Sequence, residues 1–184
     1  MPKVKTPIKF SYLDYQNLPE SETKRYELLG GEIVMAPSPT PKHQRISWKL
    51  NDQLSRFVQT NALGLVFYAP LDVILSGEDV VQPDILFISN RHLKIIQENA
   101  IQGAPDLVIE ILSPTTAGRD RTLKRTLYAR SGVQEYWLAD PESKSIEVLT
   151  LGEQGYQLAG RYESGQRLAS PLLPSLEIQL DQLF

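Results

Sequence analysis

From Pro105 to Pro114 the chain reads PDLVIEILSP, and residues 107–112 are apolar with one exception, Glu110. A strand with one wet face alternates apolar and polar residues. A short unbroken run rich in Val and Ile and bounded by prolines reads instead as a strand covered on both faces. An ionised carboxylate embedded in such a strand is costly unless something compensates its charge. The compensator is either a buried cationic side chain or a metal ion, and the first is the plainer case.

A second acid sits in comparable surroundings. Val80 to Ser89, VVQPDILFIS, reads as a longer strand in which Pro83 marks a bulge or an interruption of pairing. Alternation puts Asp84 on the face of Gln82 and Leu86. If this strand pairs antiparallel with that of Glu110, the two carboxylates come within a few ångströms of each other. They then repel unless a cation lies between them. A hard divalent ion with oxygen ligands, Mg²⁺ or Mn²⁺, suits that gap. Asp106 leaves the backbone about 13 Å from Glu110 at the rise of an extended strand, too far to share a small ion.

The remaining elements follow in order. Ser11 and Asp14 form the capping signature of a short helix with Phe10 as its staple, and Pro19 closes it. Gly30-Gly31 joins strands 25–29 and 32–36 as a hairpin, with Glu27 in the first. After the stiff loop Pro37–Pro41, a helix from His43 to Thr60 carries Ile46, Leu50, Leu54, Phe57 and Val58 as one apolar stripe. His43 falls near the middle of that stripe and points inward, as a core histidine or as part of a site. Strands are expected over 64–68 and 71–75, and residues 90–104 form an irregular excursion in which His92 is a solvated loop residue.

A helix from Arg119 to Ser131 ends at Gly132. Leu123 and Leu127 supply its buried edge and Lys124 borders it. Its basic residues make either a solvated face or a phosphate-contacting surface. Strand 133–139, a hairpin of 145–151 with 155–161, and segments 166–169 and 176–184 extend the sheet.

Composition narrows the classes. A chain of 184 residues suits one domain spanning 1–184. The absence of cysteine excludes thiol chemistry and Cys-ligated metal centres. No secretion signal and no stretch of about 18 apolar residues is found, so a soluble, cytoplasmic protein without membrane contact is expected. A net charge of −3 argues against a broad nucleic-acid-coating face but leaves room for a local basic patch.

The stretches YELLGGEIV, QPDILF, PDLVIEILSPTT and GVQEYWLADP, with inward His43 and the basic segment holding Lys124, resemble the Uma-two family of endonucleases within the PD-(D/E)XK superfamily. The likeness covers roughly Tyr26 to Pro141. It implies an α/β (α+β) fold: a restriction-endonuclease-like mixed sheet flanked by helices, with extra hairpins. It also implies Mg²⁺- or Mn²⁺-dependent hydrolysis of nucleic acid, DNA in particular, and a homodimer by analogy with nucleases that act on duplex. Asp84 and Glu110 match the metal-binding acids, and Glu27 and His43 match positions near the site. The superfamily's lysine is expected two residues after the glutamate, where this chain has Leu112. Either the site is dead, leaving a nuclease-fold module that binds nucleic acid or protein, or Lys124 reaches back from the next helix to fill the place.

Overall fold

A computed structural model describes residues 8–19 and 25–184 of the chain. Helix α1, Tyr12–Gln16, opens on the expected capping box: the Asp14 amide donates to Ser11 Oγ and the Ser11 amide to the Asp14 carboxylate. Strands β1, Arg25–Leu29, and β2, Glu32–Ala36, pair antiparallel across Gly30 and Gly31. Both glycines take positive φ, which a two-residue turn of this hand demands. Helix α2, Pro41–Thr60, starts two residues earlier than expected. Thr40 caps it through the His43 amide, and Pro41 takes the first helical position, where its missing N–H costs nothing. Ile46, Leu50, Leu54 and Val58 are buried along its stripe.

Strands β3, Gly64–Tyr68, β4, Val73–Ser76, and β5, Asp79–Val81, lead to β6, Ile85–Ser89. The expected single strand 80–89 is thus two strands, parted at Gln82-Pro83-Asp84, and they belong to different sheets. Pro83 has no amide to donate, and here the chain crosses from one sheet to the other. After a 3₁₀ turn, Leu93–Ile95, come β7, Ile101–Gln102, and β8, Leu107–Ile111.

Helix α3 then runs without a break through Ala117–Arg119, a π-wound turn Asp120–Lys124, and Arg125–Ser131. Gly132 ends it in the left-handed conformation. Strands β9, Glu135–Asp140, β10, Ser145–Gly152, and β11, Gly155–Glu163, are followed by β12, Arg167–Ala169, and β13, Glu177–Gln179.

The larger sheet has the order β11-β10-β9-β8-β6-β3, and the smaller the order β2-β1-β5-β4-β7. Strands β8 and β9 run parallel, with α3 as the crossover such a pair requires. Instead of extending either sheet, β12 and β13 form a ribbon of their own. With the following turn they bury Leu168, Ile178, Leu180 and Leu183 in the core under α2. The apolar residues at the end of the chain are thus buried within the fold.

Strand β8 is buried throughout and its two faces serve different cores. Leu107, Ile109 and Ile111 pack with the α2 stripe, whereas Val108 packs with Leu127 and Tyr128 of α3. Glu110 shares the face of Val108, so the period of the strand aims it at α3.

Candidate functional site

The register Ile85↔Ile109 and Leu86↔Val108 places Asp84 one step beyond the pairing, opposite Glu110 and on the same face of the sheet. Asp84 Oδ2 accepts the Ile111 amide at 2.7 Å and contacts His43 Nε2 at 3.1 Å. Glu110 Oε1 accepts from Lys124 Nζ at 2.9 Å and from the Tyr128 hydroxyl at 2.7 Å. Lys124 Nζ also lies 2.8 Å from Glu27 Oε1 and 3.8 Å from Asp120 Oδ1. All five residues Glu27, Asp84, Glu110, Lys124 and His43 line one cavity of about 480 Å³, together with Gln82, Asp120, Arg25, Lys42 and Arg119.

The side chain of Lys124 is buried, where the sequence put it at the border of an edge formed by Leu123 and Leu127. The inward face of α3 is centred between Leu127 and Tyr128. Stepping back from there at 100° per residue lands on Lys124 and Asp120, while Leu123 falls roughly 90° away. Leu123 is accordingly exposed. Asp120 and Tyr128 are contacts of the site that the sequence did not reveal: the acid stood alone among basic residues, and the tyrosine carried no signal of its own.

Charge balance is the site's dominant property. Glu27, Glu110 and Asp120 surround a single ammonium, and Asp84 stands close enough to act on Glu110. Burial pushes the Glu110 carboxyl well above the usual carboxylate range; Lys124 offsets part of this, and the Asp120, Asp84 and Glu27 charges add to the rise. Asp120 is raised as well, by burial against the pull of Lys124. Burial disfavours the charged form of Lys124, but the carboxylates of Glu110, Glu27 and Asp120 outweigh it and its pKa rises. For His43, too, burial favours the neutral ring, yet the hydrogen bond and charge of Asp84 raise it above its ordinary value.

Two buried polar side-chain atoms lack a partner among the described residues, Gln82 Oε1 and His43 Nδ1, and both residues line the cavity. Gln82 donates through Nε2 to Asp72, which fixes which end of the amide is left over. A carbonyl oxygen without a partner, on a residue of a cavity that carboxylates also line, is of the donor type a hard divalent cation takes. Among the described residues, however, no three acidic or histidine side chains already form a metal cage.

The basic face of α3 is largely solvated, with Arg125 and Arg130 exposed and Arg121 partly so, but most of its charges already have partners within the protein. Arg121 pairs with Glu147, Arg130 with Asp79, and Arg125 donates to the Tyr156 carbonyl. Of these residues only Arg119 and Lys124 reach the cavity. His92 is half-exposed but tethered, its Nδ1 lying 2.8 Å from Asp106, whose other oxygen accepts the Ser89 amide. Asp106 therefore holds the start of β8 in place.

Residues 12–181 match the profile of the Uma-two family, described as "Putative restriction endonuclease". The chain belongs to this family. Two Synechocystis proteins, both described as uncharacterized, are similar in sequence. One, sll1609, is 24% identical over 136 residues, 73% of this chain and 76% of its own; the other, slr1290, is 25% identical over 162 residues, 87% and 84%. A crystal structure of a "putative nuclease belonging to DUF820" from Anabaena variabilis superposes with a TM-score of 0.78 at 24% identity, covering 97% of this chain and 98% of that one. The Uma-two chain described here thus has the fold expected of it, and its α3 buries a lysine against Glu110. No helix among the described residues is long and apolar enough to cross a membrane.

Proposed function

We propose that this chain is a divalent-metal-dependent nuclease acting on DNA, with Asp84, Glu110 and Lys124 at its centre. The observation that carries the reading is the contact between Lys124 Nζ and Glu110 at 2.9 Å, in a cavity whose wall also holds Asp84. Through that contact the helix supplies the ammonium that position 112 lacks.

Asp84 and Glu110, with the unpartnered Gln82 Oε1, would hold Mg²⁺ or Mn²⁺, which when bound polarises a phosphodiester and acidifies water. The rest of the chemistry falls to the protein's own groups. Lys124, with its pKa raised, keeps its proton and cannot serve as a base. Its role is to neutralise charge that develops on the phosphate. Its ammonium and the Tyr128 hydroxyl both bind Oε1 of Glu110, which fixes the rotamer and leaves Oε2 without a hydrogen bond among the described residues. Glu27 holds Lys124 from the other side and accepts the Gln82 amide. Arg25, Lys42 and Arg119 at the cavity wall are placed to bind flanking phosphates.

One observation favours a second reading. Lys124 is clamped between Glu27 and Glu110, so the lysine has its counter-charges without any ligand. A module that binds nucleic acid without cutting it would look the same. Plasmid and single-stranded DNA incubated with Mg²⁺ or Mn²⁺, with chelator, and with Asp84→Ala separate the two. Metal-dependent cleavage lost in the variant is the expected result. Salt-sensitive binding with no cleavage selects the second reading.

A further inference from the structure

The reacting groups of this cavity are sunk below its mouth. Glu27, Glu110, Asp120 and Lys124 are between 2% and 5% exposed, while the side chain of Asp84, at 19%, lies nearer the opening. Pro37, Pro39, Pro114 and Pro141 stand in the surrounding wall. Their fixed φ angles keep those segments from folding back. Lys42 of the first turn of α2 reaches across to Glu142, beyond β9, at 3.1 Å and ties two parts of the wall together. An intact duplex is stiff, with a persistence length of about 50 nm, and its phosphates lie on a broad cylinder. For one of them to be carried down to Lys124 the backbone must be drawn off that cylinder, which unpairs and unstacks the nucleotides it carries, a penalty absent from a single strand.

The wall also says how a strand would be held. Arg25 on β1 and Arg119 on α3 enter no ion pair among the described residues, and each offers a cation to a phosphate. Among the described residues no Phe, Tyr or Trp lines the cavity, and the one imidazole there, His43, is held by Asp84.

On the nuclease reading above, we propose that the substrate is single-stranded or frayed nucleic acid, drawn into the cavity by its sugar-phosphate backbone with little regard for base identity. Intact duplex is disfavoured because the burial of Glu110 and Lys124 requires its backbone to leave the helical path.

The test uses a fluorescein-labelled oligonucleotide, the blunt duplex of the same sequence, and a second pair of different sequence. Cleavage is followed in Mn²⁺ and counted only as the part lost in Glu110→Gln, while binding is followed by anisotropy in chelator. Single strands are expected to be cut and bound about thirtyfold better than duplex, the scale set by unstacking a nucleotide, and alike for both sequences. Duplex cut or bound as well as single strand overturns the inference, as does failure of the single strand to bind. Preferential binding of single strand with no cleavage upholds this mode of entry while defeating the hydrolytic reading.

Discussion

Replacing Lys124 with Met removes the one ammonium that faces Glu27, Glu110 and Asp120 and leaves a side chain of similar length in its place. Breaking a buried ion pair by deleting one partner costs about 3–5 kcal/mol, because a charge is stranded without compensation. With a urea m-value of about 2 kcal/mol/M for a small protein, the unfolding midpoint falls by about 2 M. The loss depends on pH. The folded pKa of Glu110 already lies above its unfolded value, and deleting Lys124 raises it further by removing the charge that most lowers it. The folded state then holds more protons than the unfolded one between the two pKa values, so stability falls as pH rises through that interval. Urea titrations of wild type and Lys124→Met, read from the fluorescence of buried Trp137, are expected to show a penalty at about pH 8 that exceeds the penalty at about pH 5.5 by more than 1 kcal/mol. A penalty below about 1 kcal/mol, or one equal at both pH values, would refute the assignment of Lys124 as the counter-charge.

The chain has only two histidines, so His43 is readily followed by NMR. Its titration midpoint is expected above the ordinary imidazole value, and below it in Asp84→Asn, where burial acts without the carboxylate; an unchanged midpoint would separate the two residues. Because the His43 pKa is raised, its contribution to stability is full at low pH and is lost as pH rises through the folded value, which wild type and Asp84→Asn melts compared across that range would show. Tyr128→Phe deletes the hydroxyl bound to Glu110 Oε1 and is expected to cost about 1.5–3 kcal/mol, the worth of a hydrogen bond to a charged group, measured by urea unfolding. Glu135→Ala strands three donors, from Trp137, Ser170 and Leu172, and is expected to destabilise by about 3 kcal/mol or more, loosening the terminal ribbon first in hydrogen exchange.

Local rules carried much of the architecture. The Gly30-Gly31 turn, the α2 stripe and the doubly buried β8 are each set by residues adjacent in the chain, and alternation alone aims Glu110 away from α2. What local rules could not supply was the destination of a break. Pro83 marks an interruption, but nothing nearby says that β5 and β6 join different sheets, since that is fixed by partners distant in sequence. The same holds for the site. Glu110 declares itself as a charge in an apolar run, whereas Tyr128 is a buried aromatic like any other until its hydroxyl is seen on Glu110. Asp120 sits among arginines that the fold later pairs with Glu147, Asp79 and the Tyr156 carbonyl, so its inward aim was hidden by charges that turned out to be occupied elsewhere.

A crystal soaked in Mn²⁺ and measured for anomalous scattering tests most directly whether these acids share a cation. The account predicts one peak at about 2.0–2.2 Å from carboxylate oxygens of both Asp84 and Glu110, absent in Glu110→Gln. A map with no peak there, and Lys124 still bridging Glu27 and Glu110 at saturating Mn²⁺, would contradict it.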